Sequence, residues 1–200
     1  MKKQLWYKAI VRDRNGKVLS RENRRSRSIL GNWYRILYAH MAFTSISLIH
    51  TSGVDRGVIY FGDNWKFKAD ANEDSIGIVI GTGIAAVTID DYKLDSQIMQ
   101  GTGSGQMRHL VSTPGWPSVI GSNCDFLTSR TFLNNSVGSI TVRESGIYCR
   151  VKGPTYYGYA CIVRDVLVIP QAVPDGGSIT IDYRLRITAR RKNRIKDLKE

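Results

Sequence analysis

Ser178-Ile179-Thr180-Ile181-Asp182-Tyr183-Arg184-Leu185-Arg186-Ile187-Thr188 is the stretch from which the fold is read. Ile179, Ile181, Tyr183, Leu185 and Ile187 alternate with polar partners at a period of two. That is the repeat of a strand with one buried face. The opposite face carries Arg184 and Arg186 into solvent or onto a partner, and Asp175-Gly176-Gly177 supplies the preceding turn. A strand this regular needs a sheet around it and a second layer beneath.

Working back along the chain, short β-branched or aromatic runs recur between glycine, asparagine and aspartate. They are Gly57 to Phe61, Trp65 to Lys68, Ser75 to Ile80, Gln106 to Ser112, Leu127 to Leu133, Ser139 to Arg143, Gly146 to Val151 and Tyr159 to Ile169. Leu5 to Arg12 and Lys17 to Ser20 flank Asn15-Gly16, a strong hairpin signal because both residues tolerate positive φ. From Ser28, read as an N-cap, the period changes: Ile29, Leu30, Trp33, Ile36, Leu37 and Met41 fall at helical spacing. Trp33, Ile36, Leu37 and Met41 form the expected packing face of that helix.

The predicted fold is therefore mainly β: an antiparallel β-sandwich or jelly-roll-like domain with an N-terminal hairpin and one main helix. Residues 1–50 are expected to form a hairpin-plus-helix docking element, 51–189 the sandwich body, and 190–200 a basic tail.

The 200 residues are 42% hydrophobic and 23% charged, enough for a true core. Lysine and arginine number 29 against 17 aspartates and glutamates, a net charge of +12 that favours polyanionic partners. The excess gathers in Arg21, Arg24, Arg25 and Arg27, placed between the hairpin and the helix. It gathers again in Arg184, Arg186, Arg190, Arg191 and Lys192. No apolar run approaches the roughly 18 residues of a membrane span, so no membrane association is expected. The N-terminal residues lack the apolar run of a signal peptide. Cys124, Cys149 and Cys161 have no metal-binding spacing, which suits buried thiols in a reducing compartment.

Signals for catalysis are weak. Gly81-Thr82-Gly83-Ile84-Ala85-Ala86 matches a dinucleotide fingerprint in letters only, since Val87-Thr88-Ile89-Asp90-Asp91-Tyr92 does not continue as a helix. A glycine-permitted turn between strands is the expected role. Asp90 and Asp91 suit a turn, or an N-cap for a helix over Tyr92 to Met99. His40, His50 and His109 are scattered, and no Gly-x-Ser-x-Gly elbow is present. No enzymatic activity, cofactor or metal is expected. Tyr156, Tyr157 and Tyr159 form an aromatic loop that reads as a contact surface or as a cap on one end of the sandwich.

Several segments bear a family likeness. Ser75 to Ile98, with Ile78-Val79-Ile80-Gly81-Thr82-Gly83 leading into Asp91-Tyr92-Lys93-Leu94, resembles a pattern in uncharacterised structural proteins of tailed phages. Arg130 to Ser136, Ser139 to Tyr148, Val163 to Leu167, Asp175 to Tyr183 and the Ser26-Arg27-Ser28 entry to the helix are similar to the same group. Together they cover most of the chain in a consistent order. The resemblance implies a virion component (a head decoration, neck or tail subunit) assembled in the host cytoplasm. Its partners would be other virion proteins and copies of itself, as a homo-oligomer in the particle. The basic segments leave open a nucleic-acid-binding module associated with packaged DNA, and the tyrosine loop a tail adhesin.

Overall fold

The computed structural model describes residues 2–26, 28–59 and 65–189. It is a mainly β, sandwich-like protein whose antiparallel sheets pack face to face, with a single α-helix among the described residues. The strands are β1 (Lys2–Arg12), β2 (Val18–Ser26), β3 (Ile46–Ile49), β4 (Asp55–Val58), β5 (Gly77–Gly81), β6 (Arg108–His109), β7 (Ser118–Ile120), β8 (Asn123–Leu133), β9 (Ile140–Lys152), β10 (Tyr157–Val173) and β11 (Ser178–Thr188). The helix, α1, spans Gly31–Ala42.

One sheet runs β2-β1-β11-β8-β6, with β7 also on β8; the second runs β10-β9-β5; β3 and β4 form a small ribbon. The hairpin expected to belong to an appended docking element is built into the larger sheet instead. β1 pairs with β11 along its full length, from Lys2 opposite Thr188 to Arg12 opposite Ser178. The reversal falls where Asn15-Gly16 placed it, but only Gly16 takes a positive φ, 82°, and not Asn15; Asp13 accepts the Asn15 and Lys17 amides at 2.9 Å through its carboxylate.

The period-two pattern of β11 places Ile179, Ile181 and Tyr183 in the core beside Leu5, Tyr7, Ala9 and Val11 of β1. Ile78, Ile80, Val142, Ile147, Val151 and Ile162 of the smaller sheet close the same core. That smaller sheet is covered on both sides. Val79, Tyr148 and Cys161 pack on its other face against Leu30 and Leu94, so β5 is buried at all five positions. Tyr183 ties the layers together, its hydroxyl sharing a hydrogen bond with Ser145 Oγ at 2.8 Å and donating to Asp165 Oδ2 at 3.2 Å.

Several local expectations are corrected. Ser28 is not the N-cap. Residues 28–30 run along the outer edge of β10, where Ile29 bridges Val163 and the Leu30 amide donates to Ile162 O at 3.0 Å. The helix starts only after Leu30, without a side-chain cap. Ser139 to Arg143 and Gly146 to Val151 are not two strands but one, β9, because Gly146 stays in the ladder opposite Val79 and Arg164. Residues 65–68 contribute a lone bridge from Lys66 to Arg150 rather than a strand. Residues 92–99 form no helix; Ile98 donates to Ile80 O and Gln97 bridges Gly81, which spends them on the free edge of β5. The basic tail 190–200, Arg27 and the 60–61 end of an expected strand lie outside the described residues.

Candidate binding face

The two basic segments, far apart in sequence, meet on one sheet. Arg21, Arg24 and Arg25 are not in a loop between hairpin and helix; they belong to β2. Arg25 stands opposite Trp6 of β1, Trp6 opposite Arg184 of β11, and Arg184 opposite Leu127 of β8. Directly paired residues point to the same side of a sheet, so these four form a row across the face turned away from the core. Arg25 and Arg184 are exposed, and Trp6 is half-buried between them.

Charge compensation on this face is uneven. Arg186 is held by Asp125 in a two-pronged pair, both contacts 2.6 Å, which draws the Asp125 carboxyl below its usual range. Lys8 lies 3.6 Å from Asp182. Among the described residues, Arg25 and Arg184 have no carboxylate within ion-pair distance. An open groove of about 430 Å³ runs between Trp6, Lys8, Asn23, Leu127, Arg184 and Arg186. A second cavity, of about 600 Å³, lies at the end of β2 between the two sheets, lined by Trp6, Tyr7, Arg24, Arg25, Asp165 and Val168.

Arg24 points to the other side of β2, where its Nε lies 3.7 Å from Glu22 Oε1. Glu22 is a residue that the sequence reading passed over inside a basic run, and it is 2% exposed. Its carboxylate accepts the Tyr7 hydroxyl at 2.8 Å and the amides of Val168 and Ile169 at 3.2 and 3.3 Å. Those amides are free because β10 bulges there, residues 167–170 standing opposite Arg143 alone. Glu22 thereby latches the edge of one sheet to the bulge of the other.

A second cluster explains the glycines at 81 and 83. Glu144, fully buried, accepts the amides of Gly83, Asp95 and Ser96 at 3.1, 3.1 and 2.7 Å. A Cβ at Gly83 would lie 2.4 Å from Glu144 Oε1, and one at Gly81 2.4 Å from Ser96 O. Close approach of backbone to a carboxylate, not a positive φ, is what these positions require. Arg164 completes the cluster, donating to Glu144, to Asp91 at 2.6 Å and to Ala85 O at 2.9 Å. Arg164 and the neighbouring Thr88 lower the Asp91 carboxyl against the effect of burial. Together these bonds hold residues 83–96 over the smaller sheet.

The tyrosine loop is partly a cap. Tyr156 turns its hydroxyl onto Gly57 O and its ring under Arg56 at 5.0 Å, and it rests on Gly153, where a Cβ would lie 2.2 Å from the ring. Tyr157 is exposed, with Arg150 4.7 Å and Lys152 5.8 Å from its ring centre. Tyr159 is half-buried within β10. Cys149 and Cys161 are buried free thiols, and burial pushes the Cys149 thiol up to about 12. Among the described residues, no group of three His, Cys, Asp or Glu side chains is arranged to hold a metal. No helix among them is long and apolar enough to cross a membrane.

The expected helix face is divided. Ile36 is fully buried and Trp33 packs edge-on against Trp65 at 4.7 Å. Leu37 and Met41 point the other way, with Tyr34 and Tyr38.

No protein-family model, no curated protein and no solved structure matches the chain.

Proposed function

We propose that this chain is a non-enzymatic structural subunit of a tailed-phage-like virion, a head decoration, neck or tail component, acting through repeated protein–protein contacts. The observation that carries the reading is the outward stripe of α1. Tyr34, Leu37, Tyr38 and Met41 follow an i, i+3, i+4, i+7 spacing and stay exposed, Met41 at 78%, and Phe43 extends the stripe at 73%. An apolar helix face left open on a rigid β body is what a subunit buries on assembly. Copies of the same chain and other virion proteins are the partners this reading names, with assembly in the host cytoplasm. The sequence resemblance to tailed-phage structural proteins supports the same class.

The test is the mass of the purified chain by light scattering at low and high salt. A closed oligomer that survives high salt, and dissociates when Leu37→Glu and Met41→Glu are combined, is the expected result. A monomer at every salt and concentration that also fails to join purified particles overturns the reading.

A further inference from the structure

We propose that the Arg25–Trp6–Arg184 row is a binding site for single-stranded nucleic acid, with a base stacked on Trp6 and the flanking phosphates held by the two arginines. This goes beyond the assembly reading and uses a different face of the molecule. Proteins that hold single strands combine a cationic track with aromatic rings offered to the bases. Both ingredients lie here in one register row across adjacent strands.

Three features favour this ligand. First, the cations beside Trp6 are not held in contact ion pairs. Lys8 and Arg186 already have carboxylates in contact, whereas among the described residues Arg25 and Arg184 have none within ion-pair distance, Arg184 feeling Asp125 only from farther off. Exposed arginines without a close carboxylate are free to take phosphate oxygens in charge-assisted hydrogen bonds. Second, no cation is stacked on the Trp6 ring among the described residues, in contrast to Tyr156 and Tyr157, whose rings are already covered by arginine. Third, the geometry suits a flexible strand. Neighbouring strands are about 4.8 Å apart, so the Arg25 and Arg184 backbones flank Trp6 at about 10 Å from each other. A groove of about 430 Å³ lined by Trp6, Asn23, Leu127 and Arg184 lies on the same face. A duplex keeps its bases stacked inside and cannot offer one to the indole without flipping it.

The experiment is fluorescence anisotropy of a labelled oligothymidine of about fifteen nucleotides, titrated with the full chain between about 50 and 200 mM salt. Binding that is tighter for the single strand than for a duplex of equal length is expected. Trp6→Ala should weaken it about tenfold, and Trp6→Phe, which keeps a stacking ring, distinctly less. Arg25→Ala combined with Arg184→Ala should lower the salt slope by about 1.4, the loss of two phosphate contacts at about 0.7 each. Lys93→Ala, outside the row, should change neither. Circular dichroism of each variant confirms that it folds. No binding at low salt, equal binding of duplex, or full retention by Trp6→Ala each overturns the proposal. Retention by the double arginine variant moves the contact to another basic segment and overturns it as well. None of these outcomes alters the oligomer measurement, so the two readings fail separately.

Discussion

Arg164 Nε donates to Glu144 Oε2 at 2.9 Å, with side chains 3% and 0% exposed, and joins β9 to β10 where β5 ends. The two ends of this pair are not equally protected. Glu144 also takes three backbone amides, while Arg164 depends on Glu144, Asp91 and one carbonyl.

Removing Glu144 is therefore the more damaging change. Glu144→Leu leaves the Arg164 Nε and three amides buried without their acceptor, and should destabilise the fold by about 3–5 kcal/mol. Arg164→Met leaves the carboxylate with its amides and should cost roughly half as much. Urea midpoints of the two variants test the order; equal losses would mean that the amides contribute little.

Gly83 is constrained by contact and Gly57 is not. Gly83→Ala should destabilise by roughly 1–3 kcal/mol, because the Glu144 carboxylate and Asp95 cannot both retreat. At Gly57 nothing lies within 4 Å of an added Cβ, so Gly57→Ala should stay within about 0.5 kcal/mol. Thermal melts in parallel separate the two.

Stability should fall as the solution is acidified from neutrality. His109 is fully buried, edge-on to Phe132 at 4.9 Å and near Arg130 and Asp74. Burial first, and the Arg130 charge second, lower its pKa to about 4. The unfolded chain binds a proton near 6.5 and the folded chain does not, so stability present above that value is lost as pH drops toward 4. Roughly 3 kcal/mol is at stake. His50, whose pKa burial also lowers, acts in the same direction. Urea midpoints at pH 7 and pH 5 should differ, and His109→Gln should reduce the difference.

Arg130 holds a loop by its carbonyls. It is 1% exposed and donates to the backbone oxygens of Leu110, Ile76, Ile78, Asp70 and Glu73. Arg130→Met should cost about 3 kcal/mol or more, and Arg130→Lys should recover little, since an ammonium cannot span the fork. Amide exchange should rise first across residues 70–78, a pattern that a general loss of packing would not produce.

The architecture was legible wherever one face of an element meets water. Ser178 to Thr188 and the Asn15-Gly16 turn declare themselves because a half-buried strand writes its pleat into the sequence. The smaller sheet was harder: covered on both faces, Gly77–Gly81 alternates nothing, and Gly146 looked like a break between two strands. Glu22 and Glu144 went unnoticed because a buried acid serving backbone amides has no local pattern. Their donors, Val168 and Ile169 for one and Gly83, Asp95 and Ser96 for the other, are distant in sequence. The meeting of Arg25 with Arg184 depends on strand order, which β1 decides by entering between them.

β11 lies between β1 and β8, and both of those strands are synthesised before it. While the ribosome is still reading the intervening codons, each holds an unfilled hydrogen-bonding edge that only residues 178–188 are shaped to occupy. Completion of the larger sheet thus has to await synthesis of β11 itself, and folding of so non-local a topology is slow. In a cell making many copies at once, that delay offers the late strand of one chain to the open slot of another. How crowded the site of synthesis is would then bear on whether monomers or strand-exchanged pairs are delivered to whatever the protein joins.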